Sequence, residues 1–528
     1  MKKVLCLLAV PFALASCHQT ERTELVTAPY QAPPPAEALA PPAAAETGDT
    51  YAKIDENLFR SVAREPLSTF SLDVDRASYA NVRRFLTDGQ LPPPDAVRVE
   101  ELLNYFDYEL PAPAAASPDP VRISTELSDC PWAPGHQLAR IGIQAKKVET
   151  ASLPPANLVF LIDVSGSMQG DDRLPLVRAG LQLLVRQLRP QDHVALVAYA
   201  GAAGLVLPPT SGADQATILD ALDRLEAGGS TAGGEGLRLA YAVARQNFQK
   251  EGNTRVILAT DGDFNVGETS DAALEQLITQ ERESGVFLTV LGVGRGNLRD
   301  SRMELLADKG NGNYAYLDTL DEAQRTLVAQ FGGTLFTVAK DVKLQVEFNP
   351  NRVADYRLIG YENRLLANED FNNDRKDAGE LGAGHTVTAL YEIVPVGSDK
   401  PLVDNLKYQP GPASPSALST TDAADVLTVK LRYQAPQGGP SQLLAQPLAG
   451  AAWPIAQASA DQQLAAAVAE FGLLLRQSPQ RGTATYESAA QLAQAGRPAD
   501  PNGARAELAR LVQRAQEITA ANPTASLR

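Results

Sequence analysis

The sequence of 528 residues is poor in the side chains that build disulfides, zinc sites and nucleic-acid interfaces. It contains three cysteines and four histidines, and the histidines, at positions 18, 136, 193 and 385, show no paired spacing of the kind that zinc sites use. Basic residues number 47 against 63 acidic ones, which gives a formal net charge of -16. A nucleic-acid binder would need a basic surface, so this balance argues against that class of protein.

The three cysteines leave no pair for an internal disulfide in the mature chain. Cys6 lies in an N-terminal segment, 1–17, in which "MKK" supplies positive charge and "VLCLLAVPFAL" an apolar centre, the pattern of a signal peptide. The segment ends in "LASC", which resembles the lipobox of bacterial lipoproteins and implies cleavage before Cys17 and lipid attachment to it. Cys130 then stands alone, and we expect it to be a small buried residue rather than a reactive thiol.

A lipid-carrying Cys17 would make the chain a membrane-anchored protein of the cell envelope. Several acyl chains on one residue hold a protein firmly at a membrane, whereas one chain binds only marginally. His18 rather than aspartate follows the cysteine, and by analogy with the sorting rule of enterobacteria this indicates the outer membrane. Which face of that membrane carries the protein is left open. The alternative interpretation is an ordinary secretory signal whose cysteine is incidental. No later stretch reaches the ~20 continuous apolar residues of a membrane helix.

Motifs of catalysis and of nucleotide binding are also scarce. No serine nucleophile elbow and no Walker loop occurs, and the glycine-rich "GGSTAGGEG" lacks the lysine of a phosphate cradle. "DFNNDRKDAGEL" begins like a calcium loop at Asp370, but Arg375 stands where an EF-hand requires glycine and Leu381 where it requires glutamate. A solvated acidic loop accounts for this stretch.

One pair of acidic residues keeps an enzymatic alternative open. Asp73 and Asp75 in "FSLDVDRASY" are similar to the DxD nucleophile pair of haloacid-dehalogenase-type phosphatases. That chemistry needs the pair at the end of a hydrophobic strand, and here the preceding run is short and polar. We therefore predict helix capping by Asp75 or Ser78 and no enzyme, with a metal-dependent phosphatase retained as an alternative.

The periodicity of apolar residues predicts a multidomain chain of the α/β plus β class. Strand-like runs such as "LVFLID", "HVALVAYA", "RVILATDG" and "VFLTVLGVG" alternate with helical stretches, which indicates a doubly wound, mainly parallel sheet. Strands occur before Leu158 and again after Lys340, and we predict that both groups form one β-sandwich in which the α/β domain is inserted. The expected segments are a signal peptide (1–17), a Pro/Ala-rich tether (18–50), an N-terminal helical region (51–111), sandwich strands (121–150), the α/β domain (157–339), further sandwich strands (340–455) and a C-terminal helical region (459–520).

Five oxygen-bearing side chains follow predicted strands or lie in a glycine-rich turn. Asp163 ends the strand "FLID" and is followed at alternate positions by Ser165 and Ser167; Thr231 lies in "GGSTAGGEG", and Asp261 directly follows "RVILAT". Doubly wound sheets bind ligands beyond the carboxyl ends of their strands, so we expect the five to converge if the two later loops lie beside the first strand. Hard oxygen ligands, only two of them charged, suit Mg²⁺, with Mn²⁺ or Ca²⁺ as alternatives.

Together, Asp163-x-Ser165-x-Ser167, Thr231 and Asp261 resemble the metal-ion-dependent adhesion site (MIDAS) of von Willebrand factor type A (VWA) domains. The resemblance covers the predicted α/β domain and implies a Rossmann-like fold. It implies that the two serines and the threonine bind the metal directly, that the aspartates act through water, and that one coordination place is left for a carboxylate of a partner protein. The flanks, including "LPPPDAVRVEELLNYF" and "AAAVAEFGLLLRQS", resemble bacterial lipoproteins that carry a VWA domain.

These observations predict a membrane-anchored, divalent-metal-dependent protein-binding module for adhesion or assembly in the cell envelope. Its partner would offer an Asp or Glu carboxylate to the metal. Two alternatives remain: an envelope scaffold in which the metal only stabilises the fold, and a phosphatase that uses Asp73 and Asp75. The sequence leaves the identity of the partner and the oligomeric state open.

Overall fold

The structure is a computed structural model, and it describes residues 48–72, 75–114, 116–148, 153–230, 233–249, 252–262, 271–329, 336–398, 424–498 and 500–521. The predicted signal peptide, the lipidation site Cys17 and almost all of the predicted tether lie outside the described residues. Asp73 and Thr231 also lie outside them.

The α/β region folds into one sheet that is covered by helices on both faces. Alternate residues of its first strand enter two different apolar cores: Val159 and Leu161 face one, while Leu158 and Phe160 face the other. The strands are β5 (Ala156–Asp163), β6 (His193–Tyr199), β7 (Ala203–Ser211), β8 (Asn253–Thr260), β9 (Val286–Val293) and β10 (Tyr314–Leu317), and the helices are α3 (Leu174–Val185), α4 (Gln215–Asp223), α5 (Gly233–Gln246), α6 (Asp271–Glu283), α7 (Asp300–Lys309) and α8 (Leu320–Gln324).

This sheet confirms the predicted doubly wound, mainly parallel arrangement. Its strand order is β10-β9-β8-β5-β6-β7, and only β7 runs antiparallel to its neighbour. The chain proceeds from β5 to β6 on one side and later returns to β8 on the other. The order therefore reverses at β5, which places the end of β5 at the position where such sheets bind ligands.

The remaining strands form two five-stranded antiparallel sheets around a shared apolar core. The strands are β1 (Arg60–Ser61), β2 (Leu67–Ser71), β3 (Val121–Asp129), β4 (Gln137–Ala145), β11 (Thr337–Phe348), β12 (Val353–Ile359), β13 (Gly379–Gly382), β14 (Thr386–Pro395), β15 (Asp425–Gln434) and β16 (Gln442–Ala449). One sheet has the order β1-β12-β14-β4-β3, and the other has the order β13-β11-β15-β16 with β2 also paired to β11.

Both sheets combine strands from before and after the α/β region, as the insertion hypothesis requires. β4 pairs with β14 in one sheet, and β2 pairs with β11 in the other. The segment 51–111, predicted as helical, is only partly so, because it also supplies β1 and β2. These two strands were missed because "RS" and "LSTFS" are short and carry little apolar alternation; their partners lie more than 250 residues away along the chain.

A helical layer packs against the sandwich and is built from both ends of the described chain. Its helices are α1 (Ala77–Thr87), α2 (Val99–Asn104), α9 (Ala460–Leu475), α10 (Tyr486–Ala495) and α11 (Ala504–Ala521). In α9, a Cβ at Gly472 would lie 2.8 Å from Val99 Cγ2, so glycine allows the close approach of α9 to α2. Among the described residues, no helix has the length and apolarity needed to cross a bilayer.

The predicted capping of α1 by Asp75 or Ser78 is wrong. Arg76 occupies the N-cap position of α1 and makes no side-chain cap hydrogen bond. Asp75 Oδ1 instead accepts a hydrogen bond from Tyr314 N (2.9 Å). Ser78 Oγ donates to Ala96 O (2.7 Å), so both side chains connect separate parts of the chain.

Cys130 is buried, as expected, with 4% of its surface exposed. Burial raises the pKa of its thiol well above the usual range, which opposes formation of the reactive thiolate.

Glu380 on β13 provides a test of the packing between the sandwich and the α/β region. Burial raises its pKa to about 7, and the positive charge of Lys340 only partly opposes this. The unfolded chain loses this proton near pH 4.5 whereas the folded chain keeps it to about pH 7, so stability falls as pH rises between these values. We expect Glu380→Gln to raise the free energy of unfolding at pH 8 by roughly 1–3 kcal/mol, measured by urea denaturation, with little change at pH 4. The exposed Glu369→Gln serves as control, and equal effects of the two variants would contradict this assignment.

Candidate metal centre

The first candidate ligand, Asp163, is fully buried at the carboxyl end of β5. Its Oδ1 accepts a hydrogen bond from Ser165 N (2.9 Å). Its Oδ2 accepts hydrogen bonds from Tyr199 Oη (3.1 Å) on β6 and from Thr260 Oγ1 (3.2 Å) on β8. The two strands that flank β5 therefore fix the carboxylate in one orientation.

The two serines of the motif lie in the turn that leaves β5. Ser165 Oγ and Ser167 Oγ are 3.0 Å apart. Adjacent oxygen ligands of an octahedral Mg²⁺, each at 2.0–2.1 Å from the ion, lie about 3 Å from each other. The hydroxyl pair thus has the spacing that two ligands of one magnesium ion require.

The glycine-rich loop that precedes Thr231 is held against this turn by backbone hydrogen bonds. Gly228 N donates to Val164 O (2.7 Å), and Gly166 N donates to Gly229 O (3.0 Å). Up to Gly229, this loop therefore lies beside the serine turn, which is the condition that the sequence argument for a shared site set. Thr231 itself lies outside the described residues, and its part in the site stays a prediction.

Asp261 directly follows β8, the neighbour of β5, and is fully buried. Its Oδ2 accepts a hydrogen bond from Asn297 Nδ2 (2.9 Å). The next residue, Gly262, has a φ of +102°, and a Cβ at this position would lie 2.6 Å from Arg299 N. Glycine is needed here because the 294–299 loop packs directly on this backbone.

The two carboxylates are close enough to repel each other. Burial raises the pKa of Asp163 above its usual range, the hydrogen bonds from Ser165 oppose this rise, and the negative charge of Asp261 adds to it. A divalent cation between the two side chains would remove this repulsion. Together with the spacing of the hydroxyls, this makes Asp163, Ser165, Ser167 and Asp261 a donor set that fits a hard divalent ion.

Arg173, which no sequence motif marks, places a positive charge beside the site. Its Nη1 lies 4.0 Å from Asp261 Oδ2, beyond hydrogen-bond distance. The guanidinium donates instead to two backbone carbonyls, Ser167 O through Nη1 and Arg295 O through Nη2 (2.8 Å). Arg173 therefore braces the serine turn from the side and does not take the place of a cation between the two aspartates.

The 294–299 loop is itself held by the first described residues of the chain. Asp49 Oδ1 accepts hydrogen bonds from Gly296 N (2.7 Å) and Leu298 N (3.1 Å). Arg84 on α1 donates to Asp49 Oδ2 (2.7 Å). Asp49, which the sequence analysis placed in the tether, is thus an ordered contact that positions the loop carrying Asn297. No local sequence signal marks it, since it has no periodic apolar neighbours.

Within the part of the chain that the structure describes, no group of three or more histidine, cysteine, aspartate or glutamate side chains is placed to hold a metal ion. The described residues do bring two hydroxyl oxygens next to a pair of carboxylates. The end of β5 provides that combination.

The parallel sheet, with an Asp-x-Ser-x-Ser turn after its central strand and an aspartate after the neighbouring strand, is the arrangement of a von Willebrand factor type A domain. The family model described as "von Willebrand factor type A domain" matches residues 158–263. A second model, "von Willebrand factor", matches residues 45–140, and "Uncharacterized protein YfbK, C-terminal" matches residues 333–518. The protein is a VWA domain protein whose match to known families extends on both sides of that domain.

The Escherichia coli (strain K12) protein named "Uncharacterized protein YfbK" is 46% identical to this chain over 475 residues. The match covers 89% of this chain and 81% of the E. coli protein. The chain belongs to the YfbK family of bacterial VWA domain proteins.

More distant similarities are confined to parts of the chain or are low. The magnesium-chelatase 60 kDa subunit of Cereibacter sphaeroides is 39% identical over 143 residues, 25% of each chain. A solved structure of a von Willebrand factor type A protein from Catenulispora acidiphila is 16% identical, with a TM-score of 0.39, over 72% of this chain and 88% of that one. Family membership rests on the E. coli relative and not on these two.

Asp49 does not contact the candidate metal centre, but removal of its carboxylate should make the 294–299 loop that packs on the centre less rigid. In Asp49→Ala the amides of Gly296 and Leu298 lose their acceptor, so we expect faster hydrogen exchange there and Mg²⁺ affinity weaker by roughly 3- to 10-fold. Hydrogen exchange followed by mass spectrometry and titration calorimetry measure the two effects. Asp55→Ala is the matched control, because Asp55 lies in the same segment with its side chain 82% exposed. Unchanged exchange at 296–298 would show that Asp49 does not hold the loop.

Proposed function

We propose that this protein is a membrane-anchored, divalent-metal-dependent protein-binding module of the cell envelope. Its site would be a MIDAS formed by Asp163, Ser165, Ser167, Thr231 and Asp261. The observation that carries this proposal is the 3.0 Å spacing of the two serine hydroxyls beside two buried carboxylates at the end of β5 and β8.

Each residue of the proposed site has a distinct role. Ser165, Ser167 and Thr231 would bind Mg²⁺ directly, and Asp163 and Asp261 would hold coordinating waters and balance the charge. When bound, the ion supplies a coordination place for an Asp or Glu carboxylate of the partner protein. Ser165 is 2% exposed whereas Ser167 is half-buried, so the partner would approach from the side of Ser167.

The hydrogen bonds around the site pre-organise it for this role. Asp163 is held by donors from β6, β8 and the serine turn, and Asp261 by Asn297. Groups fixed by the fold do not have to reorganise when a partner binds, which favours affinity.

The cellular location in this proposal rests on the N-terminal sequence. "LASC" ending at Cys17 supports lipid attachment, and His18 supports the outer membrane. The segment between Cys17 and Gly48, about thirty residues rich in proline and alanine, would connect the anchor to the rest of the protein.

A second candidate is an envelope scaffold in which the ion only stabilises the fold. The dense hydrogen bonding of Asp163 favours it, because a carboxylate with three donors does not need a partner to be held in place.

We do not propose a phosphatase: Asp75 is 3% exposed and its Oδ1 is engaged by Tyr314 N, which leaves it poorly placed to attack a phosphate.

Substitution of the two serines tests whether the site binds metal. Calorimetric titration of the purified protein with Mg²⁺ should give one site, and Ser165→Ala or Ser167→Ala should weaken it by roughly 10-fold or more, since each removes a direct ligand. Ser211→Ala is the control, because Ser211 pairs with His193 at the opposite end of β6 from the site. Affinity unchanged in both site variants would remove the MIDAS assignment.

The protein-binding role requires an experiment in intact cells. Cross-linking should capture a partner with the wild type, and the capture should be lost with a chelator and in the Ser165→Ala/Ser167→Ala double variant. Cys17→Ser should release the protein from the membrane fraction. The scaffold would be favoured if the wild type binds Mg²⁺ in vitro but the same cross-links form in the presence of the chelator and in the double variant.

A further inference from the structure

A polar cavity of about 150 Å³ lies between the α/β region and the sandwich, away from the candidate metal centre. Its walls include Arg255 of β8, the turn after α7, β13 and His385. At about 30 Å³ per water molecule, the cavity has room for roughly five waters or one small organic molecule. Cavities at such junctions between structural units are common ligand sites.

Arg255 is the most unusual group of this cavity. It is 2% exposed, and its one side-chain hydrogen bond among the described residues runs from Nη1 to Thr289 Oγ1 (2.7 Å). Among the described residues its Nε is buried without a hydrogen-bond partner, while the Phe287 ring centre lies 5.5 Å from the guanidinium carbon and the negative charge of Glu380 acts on the group. Burial lowers its pKa to about 10, so the guanidinium is still charged at neutral pH. A buried charge with an unused donor is costly unless something pairs with it.

A carboxylate with an unused oxygen lines the same cavity. Glu380 Oε1 accepts a hydrogen bond from Asn311 Nδ2 (3.0 Å), while Glu380 Oε2 is buried and has no hydrogen-bond partner among the residues that the structure describes. Within the same described ranges, His385 Nδ1 is also buried without a hydrogen-bond partner. Burial, together with the positive charges of Arg76 and Arg255, lowers the pKa of His385 to about 3, so this ring is neutral.

The other charged side chains of the lining have partners. Asp75 Oδ1 accepts a hydrogen bond from Tyr314 N (2.9 Å), and Asp75 Oδ2 lies 3.7 Å from Arg364 Nη2. Arg364 donates to Asp308 Oδ2 (2.6 Å), and Asp377 accepts from Arg282 Nη1 (2.6 Å). The groups left for a ligand are therefore an edge of one guanidinium and one carboxylate oxygen, of opposite charge. A simple anion would meet Glu380, and a simple cation would meet Arg255.

We propose that this cavity binds a small zwitterion of the amino-acid class, with its carboxylate on Arg255 and its ammonium group on Glu380. The guanidinium offers planar paired donors that suit a carboxylate, and the free Glu380 oxygen accepts from an ammonium. His385 Nδ1 provides a further neutral hydrogen-bonding atom. Such a ligand would give hydrogen-bond partners to the buried polar atoms of Arg255 and Glu380 that have none among the described residues.

The test uses calorimetric titration of the full chain with glycine, alanine and serine at pH 8, above the pKa of Glu380, so that its carboxylate is charged. Acetate carries the carboxylate alone, and ethylammonium carries the ammonium group alone. We expect at least one amino acid to bind, and both half-ligands to bind about 10-fold more weakly or not at all. Binding of acetate as tight as that of the amino acids would overturn the zwitterion assignment. Absence of binding by every compound would overturn the proposal and leave the cavity to water.

Two variants and one control variant test whether the amino acid binds to Arg255 and Glu380. Glu380→Gln keeps the hydrogen bond with Asn311 but removes the charge, and Arg255→Lys keeps the charge but removes the planar edge. Each should weaken amino-acid binding by about 10-fold or more. Asp377→Asn, on the same cavity but paired with Arg282, should leave it unchanged. Equal loss in all three variants, or none in the first two, would contradict the proposed contacts.

Discussion

The structure of the candidate metal centre depends on one electrostatic constraint: two carboxylates, Asp163 and Asp261, are buried side by side at the end of two neighbouring strands. Like charges in a dry environment repel strongly, so the fold must hold both groups in place from outside. Tyr199 and Thr260 hold the first, and Asn297 holds the second. The surrounding loops can be understood as the framework that makes this unfavourable juxtaposition stable.

That framework extends well beyond the α/β region. The loop that carries Asn297 is bonded to Asp49, and Arg295 in the same loop is paired with Asp88, just after α1 (2.8 Å). Arg98, which precedes α2, pairs with Asp300 at the start of α7. The exposed Arg295–Asp88 pair contributes little net stability. The buried Arg98–Asp300 pair also contributes little, but it favours one orientation of the packed elements. The helical layer therefore fixes the position of the loop on which Asp261 depends.

The local parts of this arrangement could be predicted from the sequence, and the long-range parts could not. The turn from Asp163 to Ser167 follows the apolar run "LVFLI", and strand–helix alternation predicts the parallel sheet, but the strands that lie beside this one were left open. Asn297 contacts Asp261 across 36 residues, and Asp49 holds the loop that carries Asn297 across 247 residues; both lie in short polar segments without apolar periodicity. Such contacts arise from tertiary packing, which no window of the sequence reports. The missed strands β1 and β2 have the same cause.

The helical layer also limits the surface through which a partner could reach the metal centre. Arg83 on α1 donates to Asp318 Oδ2 (2.7 Å), directly after β10, and to Glu322 Oε2 (2.7 Å) on α8. These side chains are almost fully covered, with Arg83 11% and Asp318 6% exposed. The carboxyl edge of the sheet is thus closed at β10, while Ser167 stays half-buried at its centre. Ion pairs with α1 cover the β10 end of this edge, so in the function proposed above a partner carboxylate would approach from the β5 side. Helix α1, which also holds Asp49 and through it the 294–299 loop, would thereby limit the direction of approach.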